Sequence, residues 1–176
     1  MEIAELLVAM GVPVLQARPE GRGITIGDPP GCHAESVIVG GVPTVVQCFQ
    51  AMSPSLVEDL LHEACHLVLG PRSLDEEIES GLIVYQWALA QELDPLQRRW
   101  ARHALADYGI FWTDSTGRQR SEIGSDDEVF ASTEWLDMEA QARAFGLVDA
   151  QGKPKLGLGV HADWREWIAE HHPEAS

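Results

Sequence analysis

The chain is poor in cations. Twelve Lys and Arg stand against 28 Asp and Glu in 176 residues, a formal net charge of −16. Such a balance argues against nucleic acid and anionic membrane as partners, and it suits a basic peptide or protein. It also serves solubility by itself. Cysteine is scarce: Cys32, Cys48 and Cys65 are odd in number and form no Cys-x-x-Cys, so they read as reduced thiols. No apolar run reaches membrane-spanning length, and the start lacks the basic-then-apolar pattern of a signal peptide. The expected setting is cytoplasmic. Internal repeats and low-complexity segments are missing too. What remains, with 45% hydrophobic residues, is enough for one folded domain over residues 1–176.

The informative stretch runs from Ser55 to Gly70 and contains His-Glu-x-x-His at His62, Glu63 and His66. An α-helix returns to the same face after four residues, so the two imidazoles project side by side. At that separation both can reach one zinc ion. Glu63 lies about a hundred degrees round the helix from His62, beside the pair, where a metal-bound water would stand. It is the right residue type to take a proton from that water. The helix has its own signals. Ser53 or Ser55 can cap it, Pro54 suits its first turn, and Ser55 with Glu58 has capping-box spacing. Gly70-Pro71 is a strong stop. Leu56, Leu60, Leu61, Cys65, Leu67, Val68 and Leu69 make most of the helix apolar and place it at the centre of the fold.

Before it, Glu2 to Met10 reads as a short amphipathic helix ended by Gly11, and residues 12–23 as irregular. Gly23 to Gly27 is a candidate strand. Ser36–Val39 and Val42–Phe49 read as two further strands joined through Gly40-Gly41 as a tight hairpin. After the motif, Ser73 with Glu76 has capping-box spacing, so a helix is expected from there to about Leu93. Pro95 to Tyr108 is the next, with Leu96, Trp100 and Leu105 inward. Residues 113–124 read as a loop, and Ser125 to Phe145 as a helix with Val129, Trp135, Met138, Ala142 and Phe145 inward. A turn at 150–153 and a terminal helix over 163–171 close the chain. The fold class expected is α+β, mostly helical, with a small antiparallel sheet before the motif helix.

The motif helix resembles the active-site helix of the zincin metallopeptidases, over less than a quarter of the chain. The resemblance implies a zincin-like fold, zinc as cofactor, His62 and His66 as ligands and Glu63 as general base. The metzincin branch would need a Gly and a His where Leu69 and Arg72 stand. The gluzincin branch takes a Glu from the following helix, and the compact layout is distantly similar to the ImmA/IrrE-type peptidases.

Two imidazoles and a water leave a tetrahedral zinc one ligand short. Asp75, Glu76, Glu77 and Glu79 all lie at the start of the next helix. Glu77 shares a face with Gly81, Val84 and Ala88, small enough to let two helices approach, and ranks first. Glu76, engaged by the expected capping box, is second, and Glu79, on the face of Leu82, Ile83 and Gln86, is third. Candidate donors for a developing oxyanion are His33, Tyr85, His103, Tyr108 and His161. The expectation is a zinc peptidase acting on a peptide or protein. Its rivals are a non-catalytic zinc-clamped binding domain and a metal-dependent hydrolase of a non-peptide amide or ester.

Overall fold

The computed structural model describes residues 1–16, 23–26, 33–48, 51–74, 76–107 and 133–175. Side chains at 76–80, 102–107, 133–134 and 175 lie outside the described set. The described elements, in order, are α1 (Ile3–Met10), β1 (Val14–Leu15), β2 (Ile24–Thr25), β3 (Ala34–Val39), β4 (Val42–Gln47) and α2 (Pro54–Leu69). A 3-10 turn (Pro71–Leu74) leads into α3 (Glu76–Ala90) and α4 (Pro95–Asp107). Then come α5 (Thr133–Ala144), α6 (Trp164–His171) and a closing 3-10 turn (Pro173–Ala175). The protein is thus mixed α+β, with all four described strands ahead of the motif helix.

The strands form one sheet in the order β1-β4-β3-β2. β3 and β4 pair antiparallel from Ala34↔Gln47 to Val39↔Val42. Gly40 and Gly41 make the hairpin possible, at φ 57° and 78°, because a tight turn that follows the sheet's twist needs positive φ at both positions. The expectation of a purely antiparallel sheet is corrected at one edge. β1 runs parallel to β4, Val14 opposite Val45 and Leu15 opposite Val46. Two residues next to Pro13 carry no alternation, so the segment reads as irregular until its partner is seen.

α2 packs against α1, α3, α4, β3 and β4. Its cap is Ser53, whose hydroxyl accepts the Leu56 amide at 3.2 Å, and Pro54 occupies the first turn. Leu56, Val57, Leu60, Leu61, Ala64, Cys65, Leu67, Val68 and Leu69 are all buried. Each large aliphatic side chain among them contributes roughly 1.5–3 kcal/mol by leaving water. Glu58, Asp59, His62, Glu63 and His66 are the remainder from residue 58 on, and all five are half-buried. The sequence therefore seats the helix by its apolar side and leaves one polar stripe beside the sheet.

Two inward assignments fail. Leu96 on α4 is 49% exposed and Phe145, just past α5, is 44% exposed. Among the described side chains of α4 the buried residues are instead Gln97 and Ala101. Gln97 turns inward because its Oε1 accepts the Ile3 amide at 2.7 Å and ties α4 to α1. On α5, Trp135, Met138 and Ala142 are buried as expected. Val129, Leu105 and the loop over 113–124 lie outside the described residues. The expected terminal helix is α6, with Trp164 and Ile168 buried. No helix among the described residues is long and apolar enough to cross a membrane.

Gly70, which ends α2, has φ +90°, and a Cβ there would meet His161 Cγ and Nδ1 at 2.9 Å. Gly70→Ala therefore combines backbone strain with a clash, whereas Gly40→Ala at φ +57° meets nothing within 4 Å. By urea unfolding, Gly70→Ala should lose roughly 2–3 kcal/mol and Gly40→Ala about 1 kcal/mol. Equal losses would show that the His161 contact is of no consequence.

Candidate metal centre

His62 and His66 stand one turn apart on α2, and their rings converge. The two Nε2 atoms are 3.0 Å apart. The rings meet edge to face, at 85° with centroids 4.6 Å apart. A tetrahedral zinc with Zn–N bonds of about 2.0–2.1 Å separates two nitrogen ligands by about 3.3 Å. The pair thus lies within a few tenths of an ångström of a chelating geometry.

The outer nitrogens are held as well. His66 Nδ1 lies 2.9 Å from Ser73 Oγ. The Ser73 hydroxyl lies 2.6 Å from the Gly70 carbonyl and 3.3 Å from the His66 carbonyl, and a proton given to either carbonyl is not available to the His66 ring. Toward His66 it can only accept, which puts the His66 proton on Nδ1 and the lone pair on Nε2. His62 Nδ1 faces Gln86 Oε1 at 3.3 Å, and in that orientation it donates and presents its Nε2 lone pair to the same point. Metal-bound histidines are oriented in this way, through a partner on the second ring nitrogen. Two facing lone pairs repel unless a proton or a cation lies between them, and with both outer nitrogens protonated the pair has the donor set and spacing that zinc takes.

Sequence reasoning did not find either partner. Ser73 is read there as a helix cap; it sits instead in the 3-10 turn after Gly70, buried, with its hydroxyl against His66. Gln86 is fully buried on α3, where nothing in its local pattern points to a histidine. A buried Gln inside an otherwise apolar helix was the available signal.

Glu63 is anchored to the sheet. Ser36 on β3 is buried and hydrogen-bonds to the Glu63 carboxylate and, through Oγ at 3.5 Å, to its backbone carbonyl. Burial pushes the Glu63 carboxyl above its ordinary value. The Ser36 hydrogen bond and the neighbouring His62 pull it down, and Asp59 pushes it up. The net upward direction suits a group that must accept and return a proton. One turn earlier, Asp59 accepts both the His33 amide at 2.6 Å and His33 Nδ1 at 3.1 Å. β3 is thus stitched to α2 through two successive carboxylates.

The other oxyanion candidates separate. The Tyr85 hydroxyl is buried and donates to the Lys155 carbonyl at 2.9 Å, so it serves the C-terminal segment. His161 packs over Gly70 at the end of α2, its amide donating to the Leu67 carbonyl at 2.9 Å. His33 reaches the polar stripe of α2 through Asp59. His103 and Tyr108 lie outside the described side chains.

Among the described residues no third His, Cys, Asp or Glu completes a cluster with the pair. Asp75 and the side chains of Glu76, Glu77 and Glu79 lie outside that set. One premise behind Glu77 changes. The close approach at Gly81, one turn on, is to α5: a Cβ there would meet Phe145 Cδ2 at 3.3 Å and the Ala142 amide at 3.5 Å. Among the described side chains of α3, Gln86 meets His62.

Burial, and then the neighbouring His62, lower the His66 pKa from 6.5 to about 3. The unfolded chain then binds more protons between these values, so stability is complete above 6.5 and declines as pH falls toward 3. With metal chelated, the decline is at most about 1.4 kcal/mol per pH unit from this group. His66→Gln should remove that component. Urea unfolding at about pH 7 and about pH 5 should show the variant losing about 1–2 kcal/mol less than the parent chain across that interval. Parallel losses would place His66 in solvent.

No family model matches this chain, and neither does any curated protein or solved structure.

Proposed function

We propose that the protein is a zinc-dependent peptidase, with His62 and His66 as two of its ligands and Glu63 as general base. The observation that carries this reading is the pair of Nε2 atoms facing each other at 3.0 Å, each ring held from behind. The resemblance of His62-Glu63-x-x-His66 to the zincin helix supplies the reaction class.

Zinc held there supplies Lewis acidity, which acidifies water and polarises a carbonyl. The chain's own part falls to Glu63. Its carboxylate accepts a proton from the attacking water and returns it to the leaving amine nitrogen. Ser36 on β3 hydrogen-bonds to that carboxylate and to the Glu63 backbone carbonyl, which holds the base beside the sheet. Asp59 and His33 fix the end of β3 beside it. The substrate is a peptide or protein.

A third ligand comes from the first turns of α3. Glu79 precedes Gln86 by seven residues, two helical turns, and so shares the face that meets His62. Glu77, Glu76 and Glu79 thus stand as the candidates for that ligand.

Glu63→Gln should lower hydrolysis of a peptide mixture, read by mass spectrometry, by at least about 10²-fold while zinc content stays at one per chain. Normal cleavage by this variant would contradict the peptidase reading. If the parent chain binds zinc, cleaves nothing and unfolds on chelation, the metal is a structural clamp.

A further inference from the structure

Gln86 is fully buried, and its Nε2 has no hydrogen-bond partner among the described residues. Its Oε1 faces His62 Nδ1 at 3.3 Å. A carboxylate at this place could only accept from His62, and an aliphatic side chain could do neither. A primary amide can accept through oxygen or, after a half-turn about its terminal bond, donate through nitrogen with almost no change of shape.

His66 has no such freedom. Ser73 holds its proton on Nδ1, so its Nε2 can only accept or ligate. Without a cation, the 3.0 Å approach of the two Nε2 atoms is satisfied if His62 carries its proton on Nε2 and donates to His66. His62 Nδ1 then bears the lone pair and requires a donor.

We propose that the Gln86 amide is a two-way adaptor that lets His62 exchange tautomers as metal binds and leaves. In the metal-free chain Gln86 Nε2 donates to His62 Nδ1, which also gives the buried amide nitrogen its missing partner. In the zinc form His62 carries its proton on Nδ1, Gln86 Oε1 accepts it, and both Nε2 lone pairs are available. The proton count is unchanged: one proton leaves Nε2 for water and one arrives at Nδ1 from water. The proposal rests on His62 and His66 being zinc ligands. It assigns Gln86 a positioning role that neutralises the repulsion of an empty site without lending the site a fixed charge.

Long-range ¹H–¹⁵N correlation of the full chain labelled at histidine tests this, with zinc removed by a chelator and then restored. The resonances absent from a His62→Gln sample should switch from Nε2–H to Nδ1–H when zinc is added, while those of His66 stay Nδ1–H. In competition with a chromophoric chelator, Gln86→Glu should bind zinc about 10-fold more tightly and Gln86→Met about 10-fold more weakly. Zinc uptake with His62 already Nδ1–H in the metal-free chain overturns the adaptor and leaves the peptidase reading standing. So does a Gln86→Glu chain that binds no more tightly. Should either variant fail to fold, the labelled parent chain decides. A parent chain that takes up no zinc overturns both proposals.

Discussion

Two imidazole nitrogens held 3.0 Å apart constrain everything around them. That separation demands something positive between them, either a proton on one ring or a metal ion shared by both. Neither ring can swing away to relieve the demand. His66 is fixed by a hydroxyl whose own proton goes to a backbone carbonyl, and His62 by an amide inside α3. Burial removes the remaining escape by protonation, since it holds His66 far below its ordinary pKa. A pair held this way is the kind of arrangement that the proposed metal centre needs.

The fold supplies that rigidity by layering elements around α2. The apolar side of the helix is buried against α1, α3, α4 and the sheet, so its polar stripe cannot rotate. Gly70 then turns the chain sharply enough for Ser73 to come back beneath His66. On the opposite side β3 is fastened at Asp59 and again at Glu63. A carboxylate tied to the sheet and a histidine pair tied to two later segments meet on one helix, and the chemistry assigned to them depends on that meeting.

The parts legible in the sequence were those whose signal is local. The four-residue spacing of His62 and His66, the Ser53-Pro54 start, the Gly70 stop and the Gly40-Gly41 hairpin each depend on neighbours in the chain. What escaped depends on contacts between distant segments. Ser73 has the residue type and spacing of a cap, yet tertiary packing gives its hydroxyl to His66. Gly81 signals that something approaches α3 closely, but periodicity does not say whether it is α2 or α5, and it is α5. Leu96 yields its inward place to Gln97 because the start of α1 offers that amide an unpaired N–H. β1 is too short for any pattern, and its parallel pairing to β4 appears only once β4 is in place.

The most direct measurement is anomalous diffraction at the zinc edge from crystals grown or soaked with zinc. One peak should lie between the two Nε2 atoms, about 2.0–2.1 Å from each, with a carboxylate oxygen from the first turns of α3 completing the set. Rings that diverge in the crystal, or zinc found only elsewhere on the chain, would contradict the account.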